Sequence, residues 1–108
     1  MRVVAIVSDL MDRSRISAAL PEATFVADVD AITRTITGTI TVVIDLGRHG
    51  GAVARVRQAS PDAFFVAFGS HVDADPMLAA RAAGADRVLP RSRFFRDPAA
   101  AVAPDDES

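Results

Sequence analysis

Thr39 to Asp45 reads TITVVID, six β-branched residues followed by an acid. Such side chains are stiff at χ1 and pack well on a pleated surface, so the stretch predicts a strand over Thr39 to Ile44 that ends at Asp45. Two further runs, RVVAIV at Arg2 to Val7 and AFFVAF at Ala63 to Phe68, are apolar without polar alternation. A continuous apolar run of this length marks a strand covered on both faces, as in a parallel sheet. Ala23 to Ala27 (ATFVA) and Arg87 to Leu89, just before Pro90, add two shorter strands.

The segments between these runs read as helices. Ile16, Ala19 and Leu20 fall at helical spacing until Pro21 stops them. Asp28 and Asp30 are helix-start residues and Gly38 is a helix end. Inside that segment Ile32 and Ile36 are helically spaced, while Thr33, Thr35 and Thr37 alternate as in a strand, so a short helix is expected. Gly47, Gly50 and Gly51 predict a flexible loop before a helix over Ala52 to Ala59, whose apolar face carries Val53 and Val56. Asp75-Pro76 supplies a cap and a first-turn proline for a helix through Ala83, closed by Gly84. Asp97-Pro98 repeats that signal, but Pro104 limits the last helix to about one and a half turns.

Five strands alternating with helices specify an α/β, flavodoxin-like, doubly wound five-stranded parallel sheet of order 2-1-3-4-5 with a truncated last helix. That order brings the ends of the first and third strands to one crevice, where Asp9 and Asp45 converge. The competing reading is that each acid caps the helix that follows it.

Composition sets further bounds. The 108 residues allow one domain, divided here into a domain over 1–97 and a short helix with an acidic tail over 98–108. Half the residues are hydrophobic, enough for a substantial core. No cysteine is present, which excludes disulfides, thiolate zinc sites and thiol catalysis. The net charge of −2 argues against a general nucleic-acid binder. No apolar run reaches membrane-spanning length, and Met1-Arg2-Val3 leads into a strand rather than a signal peptide, so a cytoplasmic location without membrane association is expected. All twelve bases are arginine, so no lysine serves as Schiff-base former, general base or phosphate sensor.

Three segments, in order, carry a likeness to a known family: Val7-Ser8-Asp9 after the first strand, Val43-Ile44-Asp45 ending the third, and AAGADRVLPR from Ala82 to Arg91. Together, over Arg2 to about Phe95, they resemble the receiver domains of bacterial two-component response regulators. The resemblance implies self-phosphorylation of an aspartate at the end of the third strand. It also implies a magnesium ion held by an acidic pair after the first strand, a Ser or Thr after the fourth, and a lysine after the fifth. Carried over, Asp45 takes the catalytic phosphoacceptor position and Asp9 the second place of the acidic pair. Ser8 replaces the first acid, Gly69 stands where the hydroxyl belongs with Ser70 one position late, and Arg91 replaces the lysine.

These departures weaken the implied chemistry. Magnesium takes one or two carboxylates plus waters and phosphate, so Asp9 and Asp45 predict no cofactor or a weak Mg2+ site. Gly69 has no side chain to sense phosphate, leaving Ser70 and Arg91 for that role. Arg91 keeps the charge in a rigid planar fork that could clamp Asp45 bidentately. A pseudo-receiver is therefore expected, a stand-alone signalling module acting through protein–protein contacts and not an enzyme beyond self-phosphorylation. Its implied partners are a histidine kinase or a downstream signalling protein. The alternatives are an active phosphoacceptor using Asp45 with Mg2+, or an anion or small-ligand binder using Arg48 and Arg91 around Asp45.

The expected interaction face carries Arg81, Arg87, Arg91, Arg93 and Arg96 with Phe94 and Phe95, residue types that dominate binding hot spots. The two phenylalanines could equally pack on the sheet in place of the missing helix. Because the last helix is short, an open apolar face is expected, and with it a homodimer or a docked protein on the side of the fourth and fifth strands. Other chemistries fit poorly. His49 lies four residues after Asp45, not two as a cobalamin motif needs, and Gly47 to Gly51 is neither a dinucleotide fingerprint nor a P-loop. A metal site pairing His49 and His71 near Asp45 is a minor reading beside two solvated histidines, and Ser70-His71 lacks any nucleophile-elbow context.

Overall fold

A computed structural model describes residues 2–28, 30–31, 40–70 and 74–103. Its elements in chain order are β1 (Arg2–Ile6), α1 (Leu10–Ala19), β2 (Thr24–Phe25), β3 (Ile40–Asp45), α2 (Leu46–His49), a 3-10 turn (Gly50–Ala52), α3 (Val53–Ala59), β4 (Phe64–Gly69), α4 (Ala74–Ala82), β5 (Arg87–Pro90), α5 (Arg91–Arg96) and α6 (Pro98–Val102). All strand pairs are parallel and the sheet order is β2-β1-β3-β4-β5, as the strand pattern implied.

Register decides what the sheet presents at its carboxyl rim. Ile6 pairs with Ile44, Asp45 with Phe68, and Gly69 with Pro90. The residues that follow β1, β3, β4 and β5 therefore emerge side by side.

The unbroken apolar runs are explained by burial on both faces. Val4, Ile6, Val42, Ile44, Phe65 and Ala67 point one way, against Val53 and Val56 of α3 and Ala80 of α4. Val3, Ala5, Val43, Val66 and Phe68 point the other way, against Ile16 of α1, Phe94 of α5 and Ala101 and Val102 of α6.

The last group corrects an expectation. The short final helix does not leave the second face open, because α5, which periodicity did not reveal, inserts Phe94 over Phe68 with ring centroids 4.7 Å apart. Val66, Phe68 and Phe94 are all fully buried, so the case for a homodimer through an uncovered β4–β5 face loses its premise.

Arg87 secures α6 by donating from one Nη to the carbonyls of Ala100, Ala101 and Ala103. Ala100 O also accepts from Ala103 N–H, while the last carbonyls of a helix lack further intrahelical donors, so Arg87 supplies what the helix end cannot.

Other boundaries shift. Gly47 to Gly51 is helical rather than a flexible loop, since Asp45 caps α2 and the chain runs directly through the 3-10 turn into α3. Asp75 lies inside the first turn of α4, not at its cap. β2 is reduced to two residues. The segment around Ile32 and Ile36, His71, and the acidic tail with Asp105, Asp106 and Glu107 lie outside the described residues. No helix among the described residues is long and apolar enough to cross a membrane.

Arg57 of α3 closes the outer half of the sheet. Its guanidinium donates to the carbonyls of Pro61, Ala63 and Gly84 and to Asp86 Oδ2, and the same Asp86 oxygen accepts from Phe65 N–H. Gly84 is required there. Its φ of +120° suits glycine alone, and a Cβ would stand 2.9 Å from Arg57 Cγ.

Candidate functional site

The carboxyl rim carries three acids. Asp9 caps α1, with Oδ2 accepting from Asp12 N–H at 2.9 Å. Asp45 caps α2, with Oδ1 accepting from Gly47 N–H at 2.9 Å. Capping and convergence on one site thus hold together. Glycine at residue 47 leaves this contact uncrowded, since a Cβ there would press on the same oxygen at 3.3 Å.

The third acid, Asp12, sits one turn into α1 and only 3% of it is exposed. An isolated buried carboxylate is costly unless it is paired and hydrogen-bonded. Its partner is Arg91, which donates through Nη1 to Oδ2 at 3.0 Å and through Nη2 to Oδ1 at 2.7 Å. This is the bidentate geometry that a planar guanidinium allows and an ammonium does not.

The clamp expected on Asp45 falls instead on Asp12. The hydrogen bond to Asp12, together with the charges of Asp12, Asp45 and Asp9, holds Arg91 above the ordinary arginine range despite partial burial. The guanidinium also lies over two rings, 5.5 Å from the centroid of Phe68 and 5.2 Å from that of Phe95.

Asp9, Asp12, Asp45, Gly69, Ser70, Arg48 and Arg91 line one open cavity of about 350 Å³. The structure therefore brings together the predicted site residues Asp9, Asp45, Ser70 and Arg91.

Ser8, which stands in the place of an acid, is turned elsewhere, with its Oγ 2.7 Å from His49 Nε2. Gly69 is hemmed in, since a Cβ there would meet Leu46 Cβ at 3.3 Å. A side chain at residue 69 therefore competes with the buried leucine that follows Asp45.

Asp9 and Asp45 each give one oxygen to a backbone amide and keep the other, which is what they would offer a magnesium ion, while both oxygens of Asp12 are held by Arg91. Among the described residues no three His, Cys, Asp or Glu side chains are grouped as metal ligands. Of the pair His49 and His71, His49 engages Ser8 through Nε2, and His71 lies outside the described residues.

The expected interaction face is partly occupied internally. Arg87 binds the end of α6, Arg91 binds Asp12, and Phe94 is core. Arg81, Arg93 and Arg96 are exposed, and Phe95 is half-buried.

Sequence reasoning missed Asp12. An acid in the first turn of a helix is ordinary, being favoured by the helix dipole, and nothing in the spacing separates a buried one from a solvated one.

Three solved structures share this fold. A response regulator from Burkholderia pseudomallei, described with a phosphorylated aspartic acid, calcium ion and citrate, matches with a TM-score of 0.74 and 14% identity over 94% of this chain and 66% of that one. The chain has the response-regulator fold. A response regulator from Thermotoga maritima matches at TM-score 0.69 and 16% identity over 95% of this chain and 98% of that one. A response regulator from Burkholderia multivorans matches at 0.61 and 20% identity over 98% of each chain. No protein-family model and no curated protein matches the sequence.

Proposed function

We propose that this chain is a degenerate receiver, a signalling module that works through protein contacts with phosphorylation of Asp45 weakened or lost. One observation carries the reading: the cation that would answer a phosphoryl group on Asp45 is committed to both oxygens of Asp12. A phosphoryl group would have to compete with a bidentate, charge-assisted pair that already exists.

Two neighbours support it. Ser8 contributes no carboxylate and bonds His49, and Gly69 offers no hydroxyl beside Leu46. Protein partners of the two-component kind, a histidine kinase or a downstream signalling protein, fit this reading, with Arg81, Arg93 and the exposed part of Phe95 as available surface.

The test is incubation with Mg2+ and acetyl phosphate followed by intact mass measurement. The expected spectrum shows no phosphoryl adduct. An adduct that disappears in Asp45→Asn would overturn the proposal and establish an active phosphoacceptor.

A further inference from the structure

A second open cavity, of about 300 Å³, is lined by Arg15, Ser70, Arg91, Ser92 and Phe95. It shares Ser70 and Arg91 with the Asp45 cavity, but among the described residues no carboxylate lines it.

Arg15 lies on α1 one turn beyond Asp12, and its guanidinium carbon is 5.6 Å from the Phe95 ring centroid. The guanidinium carbon of Arg91 is 5.2 Å from the same ring. Phe95 thus steadies two cations. Contact with a ring face engages the π surface of a guanidinium and leaves its N–H edge for other partners. Arg15 has no carboxylate partner among the described residues, and Asp12 takes two of the five N–H donors of Arg91. Ser92 adds an exposed hydroxyl at the mouth.

We propose that this cavity binds a small phosphate-bearing anion, a phosphomonoester, between Arg15 and Arg91. A phosphate dianion has enough oxygens to accept from two guanidinium groups and a hydroxyl at once, whereas a carboxylate offers only two. Asp12 neutralises Arg91, so the net positive charge comes from Arg15 and affinity is modest. The proposal rests on Arg91 staying with Asp12 as the proposed function has it, and Arg15, which lines this cavity and not the Asp45 cavity, is what separates the two sites.

The experiment is thermal unfolding by circular dichroism, with inorganic phosphate and phenyl phosphate titrated separately against chloride at constant ionic strength. A ligand that binds only the folded chain raises Tm in proportion to its occupancy. The expected result is a saturable rise of several degrees that is lost in Arg15→Gln and kept in Arg48→Gln, a residue that lines only the Asp45 cavity. Arg15 is exposed and makes one ring contact, so its variant should fold. Ser92→Ala, expected to reduce the rise, gives an independent reading. Absence of a saturable rise, a rise that survives Arg15→Gln, or one abolished by Arg48→Gln overturns the proposal.

Discussion

The guanidinium of Arg91 spans both carboxylate oxygens of Asp12, at 3.0 and 2.7 Å, across 79 positions of sequence. This contact fixes the start of α5 against α1 and decides which acid at the rim receives the positive charge.

Removing Arg91 alone leaves a carboxylate whose side chain is 4% exposed without its partner. The loss should fall below the about 3–5 kcal/mol typical of a fully buried pair, because Arg91 itself is 39% exposed and screened. The double variant Asp12→Leu with Arg91→Met should regain most of the stability lost by Arg91→Met alone. Urea midpoints measure both. Equal instability of single and double variants would show that packing, not charge, is at stake. Because Arg91 is held above its ordinary range, its contribution is complete at every pH below the unfolded arginine value and fades only as pH rises through the folded one. The gap between the wild-type and Arg91→Met midpoints should therefore not narrow through deprotonation of Arg91 between about pH 7 and about pH 10.

Restoring a hydroxyl at residue 69 should cost stability rather than restore chemistry. The Cβ of Gly69→Ser enters at 3.3 Å from Leu46 Cβ, an overpacking that costs about 1 kcal/mol or more. In that background Leu46→Ala should lose less than it does in the wild type, a non-additivity visible in a thermal double-mutant cycle. Strict additivity would place the strain elsewhere.

The two adjacent phenylalanines should separate cleanly. Phe94 is fully buried and stacks on Phe68, so Phe94→Ala should lose about 3–5 kcal/mol. Phe95 is half-buried and meets the other two rings edge-on, so Phe95→Ala should lose clearly less. Chemical denaturation checks the order, and equal losses would contradict the division of labour.

The sheet was legible because β1, β3 and β4 announced themselves by apolar runs bounded by turn residues, and parallel pairing then fixed which ends share a rim. Asp9 and Asp45 followed from that topology. Arg91 was picked out by position, but its partner was not, since choosing among three neighbouring acids depends on distances that spacing does not encode. Asp12 gave no signal beyond a helix that favours acids in its first turn. The helicity of Leu46–His49 was masked by Gly47 and by the glycines at 50 and 51, where propensity yielded to the cap supplied by Asp45. Phe94 and Phe95 look alike in sequence, and only the α5 geometry sends one inward.

Arg57 has a consequence for how the molecule breathes. One side chain staples the loop before β4 to the loop before β5, and β5 is the margin of the sheet, paired with β4 alone. An edge strand would ordinarily fray first. Here its detachment must also strip the three donor contacts that Arg57 of α3 makes to Gly84 and Asp86, so amide protons of β5 should exchange in step with those of that helix, as one opening unit rather than as a loose hem.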